Sequence, residues 1–257
     1  MHFTPSFFSA YDIGYKALAS ALSDIAACGG KPAWYFLNLG IKKNQPIDKI
    51  KEIFRGFQNL EKKYSVKLLG GDTARSPFLF LCITVGGISK KPIPRSQAQE
   101  GDKLYLTGNL GGAIMGFFAL KNKIKSPITR YHLQPEIRCT EAQKLNKKYR
   151  INSMIDISDG LLIDSNHLAE ESKKKLNINF KNIPICPECD KFARKHALDL
   201  KESILTSGEE FELLFTSPDN IKENFVTEIG TVSEGQGVYL DEKLTPPRGY
   251  RHFGNAL

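Results

Sequence analysis

The chain has 257 residues, 41% hydrophobic and 25% charged, which suits a soluble globular protein with a large core. Its formal charge of +8 favours anionic partners such as nucleotides or phosphate esters. The scattered Lys and Arg residues match no nucleic-acid motif, and the longest apolar stretch, Phe78 to Ile88, is too short for a bilayer. The start shows no secretory pattern, and five cysteines do not suggest a disulfide framework, so a reducing cytoplasm is expected.

In chain order, Asp12 can cap a helix running to about Cys28, with Ala17, Leu18, Ala21, Leu22 and Ile25 on one face. Gly29-Gly30 ends it, and Ala33 to Ile41 reads as a strand. Pro46 opens a second helix, striped by Ile50, Ile53, Phe54, Phe57 and Leu60. Val66 to Leu69 predicts a short strand ending in Gly70-Gly71, and Phe78 to Ile88 a long buried one. The proline-rich Lys90 to Arg95 reads as a boundary between domains at 1–94 and 95–257. Beyond it, Leu104 to Thr107 is a strand, Glu136 to Tyr149 a helix and Met154 to Ile157 a strand. Asp159-Gly160 opens a helix to about Ser172, and Phe211 to Phe215 and Val226 to Thr231 are later strands.

Four acidic clusters stand beside turns: Ser23-Asp24, Gly71-Asp72, Asp156 to Gly160, and Glu209-Glu210. Gathered carboxylates repel unless a cation lies between them, and oxygen ligands suit Mg²⁺ with substrate phosphates. Glycines at 70 and 71 let a ligand approach the backbone, although the tetrapeptide equally fits an Asx-turn. Asp156 and Asp159 can face one point across a strand-to-helix bend; Ser158 adds a hydroxyl, and the helix start favours phosphate. Ser158 or Asp159 could instead be a plain N-cap. Asp24 opposes the dipole of its helix and calls for a positive neighbour, or else sits in a solvated last turn. Gly108 to Gly112 resembles a phosphate turn but matches no standard motif. Cys186-Pro187-Glu188-Cys189 reads as two thiols in a Pro-bearing loop, lacking the second CxxC of a zinc site.

The order of these clusters resembles the thiamine-monophosphate kinase family over His2 to Phe253. The matching stretches are Ile13 to Ala19, Leu22 to Ala27, Leu68 to Thr73, Arg95-Ser96 with Gly101-Asp102, and Asp156 to Leu161. Gly208-Glu209 with Phe211 to Leu213, and Gly249 to Phe253, complete them. The resemblance implies the two-domain α/β fold of aminoimidazole ribonucleotide synthetase, with the active site in the inter-domain cleft and a homodimer formed through the N-terminal domains. It implies ATP-dependent conversion of thiamine monophosphate to thiamine diphosphate. Mg²⁺ ligands would be Asp24, Asp72, Asp156 and Asp159; ATP contacts Gly71, Asp72, Arg95 and Ser158; thiamine phosphate contacts His2, Glu209 and Tyr250. No protein nucleophile or base is implied. In the family pattern a further acidic segment precedes the match to Met1-His2-Phe3, and Glu210, Ser207, Ser76 and Gln97 replace usual residues. On that ground this form is expected to be a weak or inactive kinase with impaired dimerisation. The other readings are a non-catalytic nucleotide or thiamine-phosphate binding module, and another ATP-dependent enzyme of the same fold.

Overall fold

The computed structural model describes residues 3–251. Two sheets share helices between them. The first sheet has the order β2-β1-β3, from Lys31–Ile41 (β1), Lys67–Arg75 (β2) and Phe80–Ile88 (β3), with β2 parallel and β3 antiparallel to β1. Helices Ala10–Ala27 (α1) and Ile47–Tyr64 (α2) belong to this half. Ser9, rather than Asp12, caps α1. Its Oγ accepts from the Asp12 N–H at 3.1 Å and the Asp12 carboxylate accepts from the Ser9 N–H, so Asp12 closes a capping box inside the helix. The two helices meet backbone to backbone. A Cβ at Gly14 would lie 2.0 Å from the Ile53 carbonyl oxygen, and one at Gly56 2.2 Å from that of Tyr11. Any side chain at either position would force the helices apart.

The chain passes through residues 89–102 into a seven-stranded sheet. Its strands are Lys103–Thr107 (β4), Ser153–Asp156 (β5), Lys175–Ile178 (β6), Leu213–Ser217 (β7), Val226–Ser233 (β8), Gly237–Leu240 (β9) and Lys243–Thr245 (β10), ordered β10-β9-β6-β8-β4-β7-β5. Its helices are Gly112–Lys121 (α3), Thr129–Leu133 (α4), Cys139–Lys148 (α5), Leu161–Ser172 (α6), Pro187–Lys195 (α7) and Leu200–Thr206 (α8). Alternate residues of its central strands enter different cores, as strand geometry dictates. Tyr105, Met154, Leu213 and Phe215 join α1, α2 and α5 in one core, whereas Leu104, Leu106, Ile155 and Leu214 join α6 and α8 in another. Helix α1 is therefore packed against both sheets. Fully buried Leu18 and Leu22 on α1 and Phe57 on α2 each contribute about 1.5–3 kcal/mol through burial.

Two strand expectations change. Gly70-Gly71-Asp72-Thr73 lies inside β2 rather than after it, because β2 continues alongside β1 as far as Arg75. The β3 strand is only half covered. Leu81, Ile83 and Val85 pack on the core, whereas Phe80, Cys82 and Thr84 lie on the outer face, which no other element covers among the described residues.

Candidate functional site

Strand β5 delivers Asp156 to the turn 156–160, and four separate segments converge there. The side chain of Asp164, one turn into α6, accepts from the N–H groups of Ser158, Asp159 and Gly160, each at 3.0 Å. Burial pushes the Asp164 carboxyl up to about 7, against the pull of those amides. Gly160 is the cap residue, at φ +134°, and a Cβ there would press on the Thr206 backbone. Neither Ser158 nor Asp159 caps α6 by its side chain. The amides of 158–160 are already satisfied by Asp164, so they are not free to bind a phosphate at this turn.

Asp156 is 2% exposed and accepts from the Ser23 Oγ–H of α1 at 2.5 Å. Burial raises its carboxyl to about 6, Ser23 pulls it down, nearby Asp24 pushes it up and Arg95 lowers it. Asp24 stands at the rim of α1; partial enclosure raises its carboxyl and Arg95 opposes that rise. The positive neighbour expected for Asp24 is thus Arg95. Asp24, Asp156 and Arg95 come together, and Asp159 follows on the same turn. Asp72 does not join them. It lies opposite Asn38 on the outer face of the three-stranded sheet. Among the described residues, no group of three or more His, Cys, Asp or Glu side chains is arranged to hold a metal. At Gly71 a Cβ would sit 1.8 Å from the Leu37 carbonyl oxygen, so glycine there lets β2 lie close against β1.

The residues expected on the acceptor side reach the same turn through their backbones. The Glu209 N–H donates to the Ser158 carbonyl at 2.8 Å, and the Tyr250 N–H to the Asp159 carbonyl at 2.9 Å. His2 lies outside the described residues. Glu209 adopts a left-handed φ of +63°, and its carboxylate is 2.7 Å from Lys16 Nζ of α1 and 3.5 Å from His132 Nδ1 of α4. Its neighbours have other duties. Glu210 is buried and accepts from the N–H groups of Gly111 and Ala113 at the start of α3, so the glycine turn 108–112 is already occupied by a carboxyl group of the protein. Burial raises Glu210 to about 8. Glu212 takes a bidentate pair from Arg138 and a hydrogen bond from Thr107.

Sequence reasoning assigned no role to Ser23, Asp164, Lys16 or His132. A carboxylate four residues after a helix-opening glycine, and a lone lysine in an apolar helix run, are the signals that point to two of them. The cysteine pair is not in a loop. Cys186 caps α7 with Pro187 at its first position; both thiols are free and buried, and Cys189 holds the Cys186 thiol down to about 6. Two surface hollows, one lined by Glu202, Asp241 and Arg248 and one by Lys42, Lys43 and Arg75, include no residue of the turn.

Comparison with known proteins agrees over almost the whole chain. Residues 1–89 match the N-terminal domain, and residues 99–243 the C-terminal domain, of AIR synthase related protein. A thiamine-monophosphate kinase of Aquifex aeolicus is 30% identical over 94% of this chain and 81% of its own length. One of Leptospira interrogans is 35% identical over 98% of this chain and 85% of its own. A solved structure described as AaThiL complexed with AMPPCP and TMP superposes with a TM-score of 0.93 at 30% identity, covering 98% of this chain and 83% of that one. The hydrogenase maturation protein HypE shares the fold, with a TM-score of 0.80 at 15% identity. A shared two-domain α/β fold, two family domains in order and identity of 30% or more over most of both chains place this protein in the thiamine-monophosphate kinase family.

Proposed function

We propose that the protein transfers the γ-phosphoryl group of ATP to the phosphate of thiamine monophosphate, giving thiamine diphosphate. The observation that carries this reading is the convergence on turn 156–160. Asp156 meets Ser23 and Asp24 there, and Glu209 and Tyr250 are tied to its carbonyls. Carboxylates for a phosphate-bound cation and groups for an organic acceptor thus share one scaffold. The kinases it resembles, and the similar structure holding AMPPCP and TMP, support the same pairing of substrates.

Asp24 and Asp156 fit a Mg²⁺ ion. The Asp24 carboxylate disfavours ionisation of Asp156, and Mg²⁺ is commonly held by one or two carboxylates with substrate phosphates and water completing the shell. Asp159, on the same turn, is proposed to serve a further ion; Asp72, on the outer sheet face, stands apart from this group. When bound, the ion neutralises charge developing on the transferred group. Arg95, exposed beside Asp24, is suited to phosphate oxygens, with the Ser158 hydroxyl and the backbone at Gly71-Asp72 as further ATP contacts. The acceptor phosphate is itself ionised near neutral pH, so no side chain has to take a proton from it. Tyr250, 49% exposed, offers a ring face to the thiazolium cation, and Glu209 and His2 orient the rest. The protein is proposed to act in the cytoplasm; no described helix is long and apolar enough to cross a membrane.

The outer face of the three-stranded sheet, with Phe36 and Phe80 exposed, is proposed to meet a second copy, since uncovered apolar sheet faces invite pairing. The direct test of function incubates the protein with ATP and thiamine monophosphate, with Mg²⁺ or with EDTA, and measures thiamine diphosphate. Product is expected with Mg²⁺ and not with EDTA. No product with Mg²⁺ overturns the reading.

A further inference from the structure

Lys16 is 4% exposed, yet it lies in the middle of an apolar helix. Taking an ammonium out of water is costly unless it is paired and hydrogen-bonded. Here the ammonium donates to Glu209 Oε2 at 2.7 Å and to His132 Nε2 at 3.3 Å, and lies 5.3 Å from the Phe8 ring centroid. His132 is itself buried between the rings of Phe8 and Phe117. Burial and the adjacent ammonium lower it to about 4, so it is neutral at physiological pH and free to accept from lysine.

Glu209 differs from its partners. Its side chain is 29% exposed against 5% for Lys16. It stands on a left-handed backbone that most residues avoid. The contacts from Lys16 and His132 both fall on Oε2; Oε1 takes no hydrogen bond from the described residues. A carboxylate gripped from the protein side by one oxygen, with the other unengaged, is oriented rather than merely neutralised.

We propose that Lys16, backed by His132, is the positioning residue that fixes Glu209 in one rotamer, so that its second oxygen meets the organic part of the acceptor. This rests on the reading of Glu209 as an acceptor contact. Lys16 does not touch either substrate; it acts through Glu209, and its effect falls on the acceptor and not on ATP.

The test compares Lys16→Met, Glu209→Gln and the double variant in steady-state kinetics with each substrate varied, and follows thermal unfolding of each. Lys16→Met is expected to raise KM for thiamine monophosphate about tenfold or more, with KM for ATP changed less than about twofold. In the Glu209→Gln background the same substitution should add less than about twofold, because its target is already altered. Equal rises in both KM values, or a loss of kcat alone, would show a purely structural lysine and overturn the proposal. A raised acceptor KM in Glu209→Gln with none in Lys16→Met overturns it while the acceptor reading of Glu209 stands. An unchanged acceptor KM in Glu209→Gln overturns that reading and the proposal with it. Should Lys16→Met fail to fold, Lys16→Gln and His132→Asn are judged by the same split between the two KM values.

Discussion

The three-stranded and seven-stranded sheets are built from strands of similar apolarity and finish differently. In the seven-stranded sheet β4, β5 and β7 are covered on both faces and feed two cores. In the three-stranded sheet α1 and α2 cover one face, while β2 is exposed along its whole length and Phe36 and Phe80 lie open. The difference shows that an apolar run reports strand propensity and says little about how many faces will be covered. It also divides the labour: rigid, buried strand ends fix the turn at 156–160, and the open sheet offers a surface.

If the buried side carries the chemistry, Asp156→Asn should lower kcat/KM about 1,000-fold, or ~4 kcal/mol, while leaving the fold intact by circular dichroism. Retained activity would break the division. Asp164→Ala frees three backbone N–H groups at once. It should cost about 2–3 kcal/mol in urea unfolding, with an accompanying loss of activity; a neutral result would mean the turn holds itself.

Glu210 sharpens the contrast through pH. Its folded-state pKa is raised to about 8 from 4.5, so the folded protein holds that proton more tightly than the unfolded chain. Stability is therefore lost as pH rises from about 4.5 through 8. Glu210→Gln cannot titrate and should flatten that slope, gaining up to about 4 kcal/mol at pH 8 while keeping an acceptor for the Gly111 N–H. An unchanged slope in thermal unfolding would show that Glu210 is ionised and fully compensated. The smallest effect is expected on the open sheet. Phe36→Glu with Phe80→Glu should change the stability of one subunit by less than about 0.5 kcal/mol but weaken the proposed self-association in sedimentation. Mass unchanged by the substitutions would remove that face as the interface.

The alternation of helix and strand through Ile88 was legible because α2 carries a regular stripe and α1 is bounded by caps and glycines. The small strands β6, β9 and β10 were not, since three or four residues hold too little periodicity. Asp24, Asp156 and Asp159 could be named from their turns. Their division from Asp72 could not, because it depends on β2 running on past Gly71 beside β1. Lys16 escaped notice for a related reason. Its value comes from Glu209, 193 residues away in sequence, and local patterning does not report such a partner.

Helix α1 touches both sides of the site, through Lys16 to Glu209 and through Ser23 to Asp156. Those residues are two turns apart, about 10 Å along the axis and on nearly the same face. The helix thus works as a ruler between the acceptor and the cation. A one-residue insertion between Lys16 and Ser23 would rotate one contact by about 100° relative to the other and leave one of them unmade. Relatives that keep both contacts must therefore keep this spacing without gaps, even where the intervening side chains drift.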